Sequence, residues 1–498
     1  MRPRLPASIK PGLVCFPGRD PEAQRVVERL LEKDREKNHC YFNSRGFHNH
    51  LSHHLLASYD LGAPAQVLQA IYSAEDCSQR PINLEGEKED TAGYQVHLDQ
   101  VKITPDNFGQ YLGQERYYGN FLSFFTQQII EHGVGETLER YIFDAAVNVK
   151  GFEMLARFLS GAYHPWIQTG YGAEFGSDAM VAQGLAQTSV HDPFAPELFN
   201  FATPGAASDE ASSIKGRPLL HILRDVYASE ILRPVMPYDP NALLSARREA
   251  LMKNGRPEEI SRLCAYWWNG GSLAEQAAAL GHKIEEMFWV CTLLLSGTGK
   301  RGRKPRLDFF LMHALNASLF LPSLLKVIPS EGSKVKLVKG FLPITVMFML
   351  LRGRPRIDPG LAMSYTASPR PPKVSVPPVT PSQTTIGDPR DPASYNPWHD
   401  ILASVIHAPD AHTVKAVRAL CYAAQRYGHK QASDIPGCYI DEARTEETVP
   451  GIASLDGTVF VRSAGVVMNT LGWVTHGDEA GEWDRSGLGW EDAWKTMD

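Results

Sequence analysis

The spacing of apolar residues along this chain is the feature that most constrains its fold. Apolar side chains recur three or four positions apart, for example at Val26, Val27, Leu30 and Leu31, and that spacing places them on one face of an α-helix. No stretch alternates apolar and polar residues for long enough to predict a large sheet. The pattern therefore predicts a mainly α fold, a single large multi-helix body.

Helical patterns cover most of the chain before residue 430. Periodicity and capping residues predict helices over 20–31, 47–61, 106–112, 117–132, 135–159, 165–175, 178–190, 217–232, 240–253, 256–266, 272–295, 307–327, 334–352 and 397–426. The C-terminal tail is mixed, because 458–467 alternates enough to predict a short hairpin and 487–494 is typical of a terminal helix.

Changes in composition divide the chain into five segments. These are an extended N-terminal arm (1–25), a helical body (26–362), a flexible insertion rich in Pro, Ser and Thr (363–397), a helical segment (398–435) and the mixed tail (436–498). The insertion contains too few apolar residues to bury a core of its own.

Composition, charge and cysteine count exclude several classes of protein. A net charge of −6 argues against a nucleic-acid partner. The longest apolar run, 340–351, falls short of the roughly 20 residues that span a membrane, and the N-terminus lacks the apolar region of a secretory signal. Seven cysteines without a CxxC pair indicate a reducing compartment. We expect a cytoplasmic protein without a membrane or nucleic-acid partner.

The first candidate site is the histidine-rich stretch HNHLSHHLL. His50 and His54 are four positions apart and would share a helix face, a spacing by which two imidazoles can bind one metal ion. His53 points in another direction, so the stretch cannot form one site as a whole. Taken alone, such a stretch is more often explained by surface position and packing than by metal binding. The absence of HExxH excludes a zincin protease.

Two further histidines stand in apolar surroundings. His164 precedes Pro165, a residue suited to the first turn of a helix, with Tyr171 on roughly the same face and Glu174 as a candidate hydrogen-bond partner. His313 lies within the apolar stretch FFLMHALNASLFLP, where an unpartnered imidazole is costly to bury. Each is either a metal ligand or a core histidine bonded to a carbonyl group.

The fourth candidate is DAHTVKAVRAL, in which His412 and Lys415 share a helical face behind Asp410. An ammonium group has no lone pair, so a lysine that binds a metal must be neutral or carbamylated. An anionic carbamate would offset the charge of iron(II) among neutral imidazoles. The alternative is a surface lysine, with Asp410 as the helix N-cap.

Two other motifs are weaker. Residues 297–302 match GxGxxG, but they follow a helical run rather than a strand, which indicates a loop. The dipeptides His191-Asp192 and His399-Asp400 match the metal-binding pair of HD-type phosphohydrolases, although both adjoin proline-containing turns. They keep a helical metal-dependent phosphohydrolase open as an alternative.

Taken together, five stretches resemble the questin oxidase-like family of fungal secondary metabolism. They are FHNHLSHHLLASYDLGA, GVGETLERYIF, YHPWIQTGYGAEFGSDAMVAQGLAQTSVH, DFFLMHALNASLFLP and DAHTVKAVRAL, in this order over most of residues 40–426. The resemblance implies an oxygenase that uses dioxygen to open the ring of an anthraquinone-type aromatic polyketide, a formal Baeyer–Villiger step.

The resemblance also implies the residues of the site. The metal ligands would be His50, His164, His313 and His412 around one non-haem iron(II), with Lys415 as the anionic fifth ligand; His412 and Lys415 are also the expected catalytic residues. Segment 26–362 would then be the catalytic body, and 398–435 would complete the metal site. NADPH is a candidate reductant, and a metal-free NADPH-dependent monooxygenase on the same substrate class is the main alternative. No heptad pattern indicates the oligomeric state.

Overall fold

The described part of the chain is helical almost throughout. This computed structural model describes Leu5 and residues 8–82, 101–199, 216–268, 271–372 and 380–495. Within those ranges, β-structure is limited to isolated bridges, so the prediction of a mainly α fold is confirmed. The chain divides into two compact units, Met1–Phe201 with Phe320–Phe341, and Ala202–Leu319 with Leu342–Asp498.

The α-helices are numbered in chain order. They are α1 (Pro21–Lys37), α2 (Leu51–Asp60), α3 (Ala65–Glu75), α4 (Tyr118–Leu138), α5 (Met154–Phe158), α6 (Ser160–Phe175), α7 (Asp178–Val190), α8 (Leu219–Ala228), α9 (Leu244–Leu251), α10 (Arg256–Ala265), α11 (Leu273–Ala278), α12 (Leu280–Ser296), α13 (Phe309–Ser318), α14 (Leu321–Val327), α15 (Glu331–Leu351), α16 (Pro359–Ser364), α17 (Trp398–Val405), α18 (Ala411–Tyr427) and α19 (Val459–Leu471). Short 3₁₀ turns lie at Asp76–Ser78, Phe108–Tyr111, Glu115–Tyr117, Ala145–Val147, Pro196–Phe199, Pro392–Ser394, Ile452–Ser454, Val474–His476 and Glu491–Trp494, and a π turn at Glu139–Phe143.

In the first unit, α6 packs on α7, and α7 packs on α4. The helices α1, α2 and α3 pack together, and α2 also contacts α6. The junction of α6 and α7 is set by local residues: Gly176 ends α6 in the left-handed region at φ 69°, and the Ser177 side chain accepts a hydrogen bond from the backbone N–H of Met180. The chain therefore reverses within a few residues, and the two helices pack side by side.

In the second unit, α12, α13, α18 and α19 form the main group of packed helices. Helix α12 packs on α13 and α19, and α18 packs on α19 and α13. Aspartate N-caps begin two of these helices: Asp308 accepts from the N–H groups of Phe310 and Leu311, and Asp410 accepts from that of His412. The caps fix where α13 and α18 start, and so which side chains occupy their first turns.

The hairpin predicted over 458–467 is wrong, because these residues belong to α19. The apparent alternation came from valines, which favour strands by intrinsic propensity. Val459, Phe460, Ser463, Val467 and Leu471 are buried at helical spacing, so packing against α12 and α18 decides the structure. The predicted terminal helix over 487–494 is likewise reduced to the single turn Glu491–Trp494.

Several predicted helices have different bounds. The helix predicted from residue 47 begins at Leu51, because residues 40–49 fold back on themselves through the Tyr41–His48 bridge. The predicted 272–295 helix is divided into α11 and α12, and the predicted 307–327 helix into α13 and α14. The predicted 106–112 helix is reduced to the 3₁₀ turn Phe108–Tyr111. The predicted 135–159 helix is divided into the end of α4, the π turn, the 3₁₀ turn Ala145–Val147 and α5.

The proline-rich insertion is described only in part, since residues 373–379 lie outside the described ranges. Arg370 donates to the carbonyl oxygens of Pro389 and Arg390, and Ser368 donates to that of Pro392. The two arms of the insertion are therefore tied together. The flexibility of this segment and the five segment boundaries stay predictions.

None of the helices assigned above is, by itself, long and apolar enough to cross a membrane. The bent pair α13 and α14 passes the same test together, by length and composition only.

Candidate metal centre

The first unit brings His50 and His164 together. His50 is the residue immediately before α2 and is half-buried, whereas His164 lies in α6 and is 3% exposed. Their Nε2 atoms are 2.8 Å apart, and the two rings meet edge to face. Two sequence motifs separated by more than a hundred positions therefore form one pair of imidazoles.

The orientation of His164 is set by the backbone just before it. Its Nδ1 lies 2.5 Å from the carbonyl oxygen of Gly161 and donates to it, so Nε2 carries the lone pair that faces His50. The carbonyl is presented by three consecutive residues in the left-handed region, Gly161, Ala162 and Tyr163, at φ 55°, 53° and 65°. A carbonyl partner on Nδ1 is the usual way in which proteins orient a metal-binding imidazole.

The other residues singled out near these motifs have different partners. The Nδ1 atom of His54 lies 2.5 Å from the carboxylate of Glu75, at the end of α3. His54 therefore does not pair with His50, although their spacing had suggested it. His53 donates from Nε2 to Gln168, at 2.8 Å. Glu174, the expected partner of a ligand histidine, accepts from the backbone N–H of Leu13; the Gly161 carbonyl is the partner of His164.

The second unit brings His313 of α13 and His412 of α18 together. Their ring centroids are 4.9 Å apart, and each offers a ring nitrogen within 4.8 Å of the other's. The Phe309 ring meets both imidazoles edge-on, with centroid distances of 4.7 and 4.8 Å. The rings are therefore held by packing from one side.

Both imidazoles of the second unit are also anchored through Nδ1. His313 donates to the carbonyl oxygen of Phe309 at 2.7 Å, and His412 donates to the Asp410 carboxylate at 2.7 Å. The same carboxylate accepts from the backbone N–H of His412. With Nδ1 protonated, Nε2 is the atom left with a lone pair in each ring.

The electrostatics of the second unit keep these imidazoles neutral. Burial lowers the pKa of His412 to about 4, with the charge of Lys415 acting in the same direction. Burial, with the charges of His412 and Lys415, holds the pKa of His313 well below its ordinary value. Burial alone would raise the pKa of Asp410, yet the interaction and hydrogen bonds with His412, together with the charge of Lys415, hold it well below its ordinary range. Neutral imidazole is the form that binds metal.

Lys415 lies one turn after His412 on α18 and is 2% exposed. The alternative of a surface lysine is therefore wrong, although Asp410 is indeed the N-cap of the helix. A cation at this position works against the protonation of both histidines. Burying an ammonium group costs desolvation free energy, and the nearby Asp410 carboxylate, whose pKa the charge of Lys415 helps to lower, compensates part of this cost.

The donor groups fit a transition-metal ion such as iron. Imidazole nitrogens bind such ions at about 2.1 Å, so two of them on one ion lie roughly 3 Å apart, close to the 2.8 Å between His50 and His164. Three of the four histidines are anchored through Nδ1 to a carbonyl or carboxylate oxygen. That all five predicted ligands bind a single ion stays a prediction.

Neither His–Asp dipeptide lies in a group of three or more metal-ligating side chains within the described ranges. His399 is exposed, and Asp400 accepts from the Tyr395 hydroxyl. His191 instead forms a second imidazole pair with His48, with 2.7 Å between their Nε2 atoms. Among the described residues, these dipeptides therefore give the phosphohydrolase alternative no support beyond the sequence.

Sequence reasoning missed this second pair and the role of Gly161. His48 and His191 are 143 positions apart, so no local spacing relates them. The available signal was indirect: a glycine three positions before His164 in a helical pattern marks a place where backbone conformation or close approach matters.

Comparison with known proteins identifies the family. The model of the family described as questin oxidase-like matches residues 47–420. The Baeyer–Villiger oxidase AgnL3 of Paecilomyces divaricatus is 27% identical over 84% of this chain and 82% of its own length. A questin oxidase of Aspergillus fumigatus is 30% identical over 67% of this chain and 71% of its own length. The Baeyer–Villiger monooxygenase dmxR6 of a Cryptosporiopsis species is 26% identical over 83% and 85%.

Proposed function

This chain belongs to the questin oxidase-like family of oxidoreductases, and on that premise we propose that it opens the ring of an anthraquinone-type aromatic polyketide with dioxygen. The reaction is a formal Baeyer–Villiger insertion. The substrate class comes from the family resemblance and from relatives named questin oxidase and Baeyer–Villiger oxidase.

The proposed cofactor is one non-haem iron(II) held by His50, His164, His313 and His412. The observation that carries this proposal is the pairing of imidazoles anchored through Nδ1: His164 to a backbone carbonyl in the first unit, and His313 and His412 to a carbonyl and a carboxylate in the second. An oxygen partner on Nδ1 leaves the lone pair on Nε2 and fixes the ring orientation, as is usual for histidines that bind a metal.

Lys415 is proposed as the fifth ligand in carbamylated form. Carbon dioxide adds to the neutral amine, a proton leaves, and the product is a carboxylate-like anion. Two features favour this step: Lys415 is buried, and His412 and His313 beside it are held neutral, since their pKa values lie below the ordinary one. The anion would compensate part of the double positive charge of the ion, which neutral imidazoles leave uncompensated.

The proposed reaction balances in atoms and electrons. One atom of dioxygen enters the carbon–carbon bond beside a ring carbonyl, which becomes a cyclic ester, and addition of one water to this ester opens the ring to a carboxylic acid and a phenol. The other atom takes two electrons and two protons and leaves as water. The reduced, phenolic form of the substrate supplies these electrons, and NADPH would supply them for a substrate that arrives oxidised. Bound iron would supply the activation of dioxygen, which reacts slowly with closed-shell organic molecules.

The chain's own residues provide orientation and a dry environment. Gly161 and Phe309 hold the Nδ1 atoms of His164 and His313 through their carbonyl oxygens, and Asp410 holds that of His412. Both imidazoles of the second pair are buried, and the Phe309 ring packs edge-on against them. These contacts fix the ring planes before substrate arrives, which is the main contribution that a protein makes to such a reaction.

Metal analysis combined with isotope labelling tests the proposal. We expect one iron per chain, loss of iron in both His164→Ala and His313→Ala, and one ¹⁸O atom from labelled dioxygen in the ring-opened product. His221→Ala is the matched control, because this half-buried histidine donates to the Tyr439 carbonyl of its own unit. Two irons per chain, each lost in only one of the variants, would contradict a shared ion.

The alternative of a metal-free, NADPH-dependent monooxygenase gives the opposite result. Full activity with less than about a tenth of an equivalent of iron, and an absolute requirement for NADPH, would replace the iron proposal with that alternative.

A further inference from the structure

We propose that the His48–His191 pair and the left-handed turn at Gly161 form a positioning device for His164, fixing the plane of its ring toward His50. The inference rests on the proposed function in one respect, namely that His164 is a metal ligand. It assigns a role to His48, Gly161 and His191, none of which belongs to the proposed ligand set.

The ring of His164 is held on its face by His48. The two imidazoles are stacked, with centroids 3.7 Å apart and planes 6° from parallel. The χ2 torsion of histidine has broad minima, so the hydrogen bond from Nδ1 to Gly161 alone would let the ring rock. A parallel ring in van der Waals contact restricts that motion.

His48 is itself fixed by the loop that carries it. The bridge between Tyr41 and His48 is flanked by two backbone hydrogen bonds, from Phe42 N–H to the Phe47 carbonyl and from Asn49 N–H to the Cys40 carbonyl, both at 2.8 Å. Helix α2 does not begin until Leu51. Residue 48 is therefore held in a short hairpin-like loop, and its ring cannot follow a helical rotation.

His191 holds the far edge of His48. Its Nδ1 lies 2.6 Å from the Gln187 carbonyl and donates to it, so its Nε2 must accept. The Nε2 atom of His48, at 2.7 Å, is consequently the donor in the hydrogen bond between the two rings. His191 is 6% exposed, and burial lowers its pKa to about 4, which agrees with a neutral acceptor.

Gly161 is the point where the turn and the histidine pair meet. A Cβ atom at this position would lie 2.5 Å from Nε2 of His191 and 2.8 Å from Nε2 of His48. The turn also requires positive φ at Ala162 and Tyr163, which non-glycine residues adopt only under strain. The left-handed turn places the Gly161 carbonyl against Nδ1 of His164, and the missing side chain of Gly161 leaves space for the His48 and His191 rings. Gly161 therefore serves both the hydrogen bond to His164 and the packing of the His48–His191 pair.

The test measures iron affinity in the holoenzyme by competition with a chelator. We expect His48→Ala to lower iron affinity about 10- to 100-fold, the usual effect of removing a group that orients a ligand. His48→Phe keeps a flat ring against His164 but cannot donate to His191, so its loss should be smaller. The electron paramagnetic resonance spectrum of the oxidised iron should change in both variants, because it reports ligand geometry.

His54→Ala is the control for a general effect on folding. His54 lies in the same stretch, is also buried and is bonded to Glu75, so its replacement removes a comparable side chain without touching the positioning device. Unchanged iron affinity in His48→Ala, or an equal loss in His54→Ala, would overturn the inference. Retention of iron by His164→Ala would instead contradict the proposed ligand set, so the two failures are distinguishable.

Discussion

At the scale of single residues, a buried carboxyl group shows how burial sets protonation. Asp34 of α1 is 2% exposed and accepts hydrogen bonds from the side-chain amides of Asn38 and Asn49, each at 2.9 Å. Burial raises its pKa to about 6, against the lowering effect of the two amides, and Glu75 and Asp76 act in the raising direction as well. Folding therefore favours the protonated form of this group.

Asp34→Asn should raise the free energy of unfolding above that of the parent protein at pH 7. At pH 4 the two proteins should differ little. Between the ordinary pKa of 3.8 and about 6, the native state binds more protons than the unfolded state, so the contribution of Asp34 to stability falls as pH rises. The difference between these two pKa values corresponds to about 3 kcal/mol. Urea unfolding of both proteins at the two pH values measures the change; an equal difference at both would contradict it.

At the scale of elements, the start of α13 depends on a buried ion pair. Asp308 is fully buried, caps α13 through the N–H groups of Phe310 and Leu311, and accepts from Nε of Arg352 at 2.7 Å. A parallel bridge to Asp484 brings the C-terminal tail against the same point. His313 stands in the second turn of this helix, so its position depends on the cap.

Asp308→Ala should destabilise the protein by about 3–5 kcal/mol, because it leaves the guanidinium group of Arg352 buried without its carboxylate. The double variant with Arg352→Ala should lose less than the sum of the two single variants, since these residues interact directly. Denaturant titration of the four proteins gives the coupling. The exposed pair Glu249 and Lys253 of α9 is the control, for which the same cycle should show little or no coupling; strict additivity at Asp308 and Arg352 would contradict the prediction.

At the scale of the whole molecule, the proposed ligands are drawn from both compact units. His50 and His164 belong to the first unit, and His313, His412 and Lys415 belong to the second. An ion bound only by the native state stabilises that state by mass action. The proposed iron would therefore stabilise the folded protein as well as take part in the reaction.

Removal of iron by a chelator should lower the Tm, and readdition of iron(II) should restore it. At a free-iron concentration about 100-fold above Kd, the stabilisation is about 2.7 kcal/mol. His50→Ala and His313→Ala should each abolish the iron-dependent part of the Tm, whereas His54→Ala should keep it. Calorimetry with and without iron provides the measurement, and an iron-dependent rise that survives in either ligand variant would argue against one shared ion.

The sequence by itself determined features that depend on neighbouring residues, or on many weak signals added along the chain. Helical spacing of apolar residues predicted the fold class, and Asp410 was recognised as an N-cap because a cap and its helix are neighbours in the chain. Five motifs in a fixed order identified the family, which the match over residues 47–420 confirms. His164 and His313 were singled out because an imidazole in apolar surroundings needs a partner.

Only the tertiary structure decided which partner each of these groups has. His54 contacts Glu75, the Gly161 carbonyl orients His164, His48 meets His191, and the valines of α19 form a helix. Helix periodicity relates residues three or four positions apart. Burial, pKa and side-chain pairing depend on residues up to hundreds of positions away, which come together only when the helices pack.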